Sequence, residues 1–183
     1  DIGTLSLIVI AGLLALIAIG VPLGFASGFM AAVIVVVNIG EHALGMLLSL
    51  INNISYSHNE IINGKWSREA NRGYELKNKT VGLIGYGHTG KSFAKKLSGF
   101  DVSTIFFDLK SNLKNEFASE ATLKEIKETA DVISIHSSLT KESYEILNTK
   151  FINECKKPFW LINTSRGNCI KINDLIKGIK EKK

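Results

Sequence analysis

Three glycines in the spacing Gly85-Tyr86-Gly87-His88-Thr89-Gly90 follow directly on the apolar and small run Val81 to Ile84. An acid, Asp108, closes the next apolar run, Ile105-Phe106-Phe107, 18 residues after Gly90. The order is strand, glycine turn, helix, strand, acid, and the chemistry it suits is the capture of a dinucleotide. Gly85 permits a tight turn out of the strand. Gly87 has no Cβ, so backbone can approach a pyrophosphate. Gly90 lets the next helix pack closely on the sheet, with its N-terminus toward the phosphates. Asp108 can accept from both ribose hydroxyls and would repel a 2′-phosphate, so the expected cofactor is NAD rather than NADP. Lys110, two residues on, would soften that preference. The plain alternative is a tight turn between a strand and a helix that binds nothing.

The elements that must hold these residues follow from periodicity. Leu44, Leu47, Leu48 and Ile51 recur at helical spacing and predict a helix from Glu41 to about Asn53. A second helical piece is expected over Ile61 to Trp66, and a polar turn over Gly73 to Lys79. The helix after the glycines should turn Phe93 and Leu97 inward. Val102 to Phe107 reads as the second strand. Thr122 and Glu125 form a capping box before a short helix. Val132 to Ile135 and Pro158 to Ile162 read as buried strands. Asn173 should cap a last helix with Leu175, Ile176 and Ile179 inward. Strands alternating with helices demand an α/β fold, a Rossmann-type parallel sheet with helices on both faces. The sheet is expected to be incomplete at the C-terminus and to be preceded by an apolar helical segment.

Charge divides the chain into two unlike pieces, residues 1–40 and 41–183. Residues 2 to 40 carry no charged side chain, and Lys65 is the first basic residue. Residues 41–183 hold all 22 basic residues and every acid but Asp1, one unit more positive than the chain's +5. That excess is spread over surface helices, as at Lys95-Lys96 and Lys177 to Lys183, without interleaved aromatics. Nucleic acid is therefore not an expected partner. Cys155 and Cys169 form no CxxC and have no histidine at metal spacing, so a reduced compartment and no metal site are expected.

Residues 41–183 resemble the NAD-binding domain of the D-isomer-specific 2-hydroxyacid dehydrogenases, close to the 3-phosphoglycerate dehydrogenase branch. Beyond the glycine motif, the resemblance is carried by Glu41-His42-Ala43-Leu44, Gly64-Lys65-Trp66, Glu75-Leu76 with Lys79-Thr80, and Ala130-Asp131-Val132-Ile133. It continues in His136 with Leu139-Thr140 and in Leu161-Ile162-Asn163-Thr164-Ser165-Arg166-Gly167. The resemblance implies that Arg166 holds the carboxylate of a 2-hydroxy or 2-oxo acid and polarises its reacting carbonyl. A planar guanidinium suits both tasks. Thr164 and Ser165 would line the nicotinamide side, Asn163 would also bind the cofactor, and His136, Ser137 and Ser138 would form the loop over the adenosine. Tyr86, His88 and Thr89 belong to the pyrophosphate turn, the last two acting mainly through backbone. Ser138 stands where the family usually has proline, which should loosen that loop. The family's acid histidine and its glutamate follow the arginine by some tens of residues. The chain reaches Lys183 before either, and the expectation is cofactor binding without turnover. The branch implies 3-phosphoglycerate as substrate, a step of serine biosynthesis, and dimerisation through the helix from Glu41 and the arm around Trp66.

Residues 1–40 resemble the start of the large permease subunit of TRAP-type dicarboxylate transporters, through Gly20-Val21-Pro22-Leu23-Gly24-Phe25-Ala26 between two apolar runs. Ile2 to Gly20 is long enough to span a bilayer, which takes about 20 apolar residues. The domain is thus expected in the cytoplasm, and membrane-associated if the leader is its own. Two alternatives stand beside the dehydrogenase reading: a non-catalytic, membrane-anchored NAD-binding module, and a transporter fragment with an incidental soluble extension.

Overall fold

The short apolar runs form one parallel sheet. In the computed structural model, residues 8, 10–12, 14–15 and 39–181 are described. The strands are β1 (Thr80–Ile84), β2 (Ser103–Phe107), β3 (Ser119–Glu120), β4 (Val132–Ile135) and β5 (Trp160–Asn163). They pair in parallel in the order β3-β2-β1-β4-β5, the doubly wound arrangement of dinucleotide-binding folds.

Helices supply the crossovers that parallel strands require. They are α1 (39–51), α2 (Ile54–Ile62), α3 (His88–Leu97), α4 (Leu123–Thr129), α5 (Thr149–Glu154) and α6 (Ile172–Lys180). Alternation along β1 splits the core into two layers. On one face Val81 and Leu83 meet Leu47 and Ile51 of α1 and Phe93 and Leu97 of α3. On the other, Ile84 joins Ile126 of α4 and Phe151 and Ile152 of α5, with Leu175 of α6 packed alongside. Gly82 lets α4 lie close to β1: a Cβ there would meet Ile126 Cγ2 at 2.8 Å and Ala130 Cβ at 3.1 Å.

Several expectations are corrected. The second helix covers Ile54–Ile62, not Ile61 to Trp66. Gly64, at φ 71°, ends it in a Schellman motif, with Lys65 N–H donating to Glu60 O and Gly64 N–H to Ile61 O. This helix has no buried residue, so no apolar stripe announced it. In α6, Asn173 lies inside the helix and Lys171 precedes it. The face turned inward carries Leu175 and Gly178, while Ile176 and Ile179 are exposed. Gly178 decides this, because a Cβ there would already press on Ile152 Cγ2 at 3.2 Å. The fifth strand begins at Trp160, two residues beyond Pro158. Neither α5 nor the two-residue β3 follows from periodicity.

The described residues divide at Asn38 and Ile39 into two compact units. Of the first unit, the six described residues are helical. The transporter-like Gly20 to Ala26 and most of the membrane expectation lie outside the described residues. Among those that are described, no helix is long and apolar enough to cross a membrane.

Candidate functional site

Four strands end at one level. The register pairs Ile84 with Phe107 on one side and with Ile135 on the other, and Ile135 with Asn163. The residues that follow each strand, Gly85, Asp108, His136 and Thr164, therefore gather at one sheet edge. The strand order reverses between β1 and β4, and a crevice opens outside the carboxyl ends at such a point. A cavity of ≈ 440 Å³ lies there. Its walls are the glycine turn with the first turn of α3, the end of β2 with residues drawn from 108–113, and residues drawn from 136–146 after β4.

The glycine turn is built from contact distances. Gly85 sits at φ 94°, and a Cβ on it would meet Ser137 N at 2.5 Å. A Cβ on Gly90 would collide with the Gly85 carbonyl, which keeps α3 against the turn. Gly87 caps α3 without a side-chain hydrogen bond, and a Cβ on it would meet nothing within 4 Å. The first-turn N–H groups and the positive end of the helix dipole are thus left to the cavity. His88 lines it and Thr89 does not.

Tyr86 belongs to the glycine turn, but its side chain turns into the core. Its ring is fully buried, and burial raises the phenol above its ordinary pKa. The Tyr86 N–H donates to Asp108 Oδ2 at 2.6 Å, and the Lys110 N–H donates to Asp108 Oδ1 at 2.9 Å. Both carboxylate oxygens are oriented by backbone.

His136 is held on both sides. Its Nε2 lies 2.9 Å from Ser134 Oγ and its Nδ1 2.7 Å from Thr164 Oγ1, with the Phe93 ring 5.3 Å away. Burial pushes its pKa down to about 4. The lowered value favours the neutral imidazole, and hydroxyls engage both ring nitrogens. Ser137 Oγ is buried and has no hydrogen-bond partner among the described residues. The loop with Ser138 in place of proline is tied by side-chain hydrogen bonds. The buried Ser143 hydroxyl donates to Ser138 O at 2.7 Å and accepts from Thr140 N–H at 2.7 Å.

The segment after β5 stands beside this cavity and not in its lining. Asn163 Oδ1 accepts from Ser165 N–H at 3.0 Å, and Asn163 Nδ2 donates to Arg166 O at 3.1 Å. The Ser165 hydroxyl donates to Ser137 O, so with the Thr164–His136 bond two side chains fasten this segment to the β4 loop. Arg166 is exposed, and its Nη1 reaches only the Ser165 carbonyl, at 3.3 Å. Lining residues that spacing did not single out are Lys91, Leu109, Leu113, Glu142, Ser143 and Ile146. Of these only Lys91, next to Gly90 in the first turn of α3, carried a local signal. Among the described residues, no three His, Cys, Asp or Glu side chains stand together as a metal site.

Residues 44–183 match the D-isomer specific 2-hydroxyacid dehydrogenase, NAD binding domain. The chain belongs to this family. It is 36% identical over 151 residues to the glyoxylate reductase of Thermofilum pendens, covering 78% of this chain and 44% of that protein. It is 31% identical over 147 residues to the D-3-phosphoglycerate dehydrogenase of Bacillus subtilis, covering 79% and 28%. The NAD complex of the Staphylococcus aureus NAD-dependent formate dehydrogenase superposes with a TM-score of 0.75 at 28% identity, over 80% of this chain and 46% of that one. The chain therefore spans less than half the length of these relatives. What it contains is the family's NAD-binding domain. The residues present fit that cofactor: open space at Gly87, an uncapped helix end, an oriented carboxylate and a buried hydroxyl without a partner.

Proposed function

We propose that this domain binds NAD in the cavity at the β1–β4 reversal and serves a dehydrogenase that interconverts a D-2-hydroxy acid and a 2-oxo acid. The observation that carries the reading is the convergence of the uncapped α3 N-terminus, the Asp108 carboxylate and the unpartnered Ser137 hydroxyl on one cavity. In this reading Gly85 to Gly90, with Tyr86, His88 and Thr89, hold the pyrophosphate through backbone. Asp108 takes the adenosine ribose, and His136, Ser137 and Ser138 close over it. Asn163, Thr164 and Ser165 border the nicotinamide, and Arg166 is the catalytic residue that clamps the substrate carboxylate. NAD, when bound, supplies the hydride acceptor. A 3-phosphoglycerate-like acid, a role in serine biosynthesis and a cytoplasmic location complete the proposal.

Calorimetry on the full chain tests it. NAD should bind, and NADP at least about tenfold more weakly, because like charges brought together cost more than the roughly 1.4 kcal/mol that a factor of ten represents. Asp108→Ala should narrow the gap. Equal or tighter NADP binding by the unaltered chain would sink the specificity claim.

Self-association through α1, α2 and the Trp66 arm belongs to the same proposal. Leu50, Ile54, Tyr56, Ile61, Ile62 and Trp66 are all exposed along this stretch. Analytical ultracentrifugation should find twice the 20.0 kDa chain mass, and Trp66→Glu should shift it toward the monomer. A monomer at all concentrations would reject the dimer.

A further inference from the structure

Tyr86 supports the cavity from beneath. Its ring lies flat on Phe106, with centroids 3.8 Å apart and planes 9° from parallel. At the far end, its hydroxyl donates to Asn115 Oδ1 at 2.7 Å. At the near end, its main-chain N–H holds Asp108. One residue thus touches both ends of the segment from Asp108 to Asn115. That segment gives Leu109, Lys110 and Leu113 to the cavity. Leu113 packs on the core, but Leu109 is 68% exposed, so burial alone fastens the segment weakly. Asn115 anchors its far end. The Asn115 Oδ1 also accepts from Phe117 N–H at 3.1 Å, and Asn115 bridges to Ala118.

We propose that the Tyr86 hydroxyl and Asn115 form a positioning pair that sets the wall of residues 109–113, and through it the affinity for the adenosine half of the cofactor. The inference rests on the NAD reading of the cavity. The wall lies on the side of Asp108, whose carboxylate marks the adenosine ribose in this motif. A partly buried hydrogen bond is worth more than an exposed one, and removing its donor leaves Asn115 Oδ1 with the Phe117 N–H as its remaining partner and frees the tether across the wall. The pair acts through the wall and need not touch the ligand.

The test compares fragments of the cofactor on the full chain. Tyr86→Phe keeps the stack on Phe106 and the main-chain bond to Asp108, and removes only the tether. ADP-ribose and NAD should bind about 5- to 10-fold more weakly, with nicotinamide mononucleotide unchanged. Asn115→Leu should reproduce that pattern, and Asn115→Asp, which keeps an acceptor oxygen, should restore binding. The double variant Tyr86→Phe, Asn115→Leu should lose no more than either single one, as expected of groups that act as a unit. Equal losses for ADP-ribose and nicotinamide mononucleotide would reduce the pair to general packing and overturn the inference, as would no loss for either. If Tyr86→Phe does not fold, the contrast of Asn115→Leu with Asn115→Asp decides. An unaltered chain that binds neither NAD nor ADP-ribose would remove the NAD reading itself, and the inference with it.

Discussion

Burial sets the charge on His136. An imidazole ordinarily takes up its proton near pH 6.5. Here burial holds that value down to about 4, and Ser134 and Thr164 occupy both ring nitrogens. Hydroxyls can donate or accept, so the pair serves a neutral ring in either tautomer. The folded-state value lies below the unfolded one. As pH falls from 6.5 to 4 the unfolded chain takes up the proton first, and stability is lost across that window. Below about 4 the loss is complete. The shift corresponds to about 3 kcal/mol at most. Urea unfolding at half-unit pH steps should show stability rising with pH between 4 and 6.5. His136→Gln, which keeps a donor and an acceptor, should flatten that slope. A slope of the same size in the variant would assign it to other groups.

At the scale of elements, helix ends decide what local sequence can fix. Thr122 and Glu125 form the expected capping box. The Thr122 hydroxyl accepts from Glu125 N–H at 3.1 Å, and the Glu125 carboxylate accepts from Thr122 N–H at 2.6 Å. Those bonds lower the pKa of Glu125. The box starts α4, which Gly82 admits close to β1 and whose Ile126 fills the core. Thr122→Ala should cost about 1 kcal/mol of stability, read as a shift of the urea midpoint without change of slope. Thr122→Ser should recover most of it, and an unshifted midpoint in the alanine variant would show that tertiary packing alone holds α4. Contact with a neighbour sets the orientation of α6 instead. Ile172, Ile176 and Ile179 make the more apolar stripe, yet Gly178 is the residue that meets α5. Periodicity identifies an apolar face, and the close seating of a glycine on a neighbouring helix's side chain can still outrank it.

For the whole molecule, the contrast in charge makes its own prediction. Residues 2 to 40 hold no charged side chain, while residues 41–183 hold every basic one. If the uncharged leader is the domain's own, the full chain should partition into detergent or lipid vesicles, and removal of residues 1–40 should leave a chain that does not. Flotation with neutral vesicles checks it, and a full chain that stays in the aqueous fraction without detergent would reject the membrane reading. The sheet domain has its own fastening at the opposite edge from the cofactor cavity. Asp131 accepts from Thr80 N–H at 2.7 Å and pairs with Lys157 at 2.8 Å, tying the starts of β1 and β4 to the approach to β5. Burial opposes the charge on Asp131, but these partners outweigh it and leave the carboxyl below its ordinary value.

By itself, the sequence determined the parallel α/β fold, the glycine turn and the acid that faces it. Those rest on local rules: a positive φ at Gly85, a helix packed against it at Gly90, and apolar runs of strand length separated by helices. Tertiary structure decided the rest. Tyr86 sits inside the glycine motif, yet its ring belongs to the core, because Phe106 lies beside it in the sheet and Asn115 waits at its far end. The fold favours a neutral His136 by setting it between a strand hydroxyl and a loop hydroxyl 28 residues further on. Leu113, Glu142 and Ile146 reach the cavity from two loops that only the strand order brings together. Such neighbours are distant along the chain, and no local spacing encodes a contact that packing alone creates.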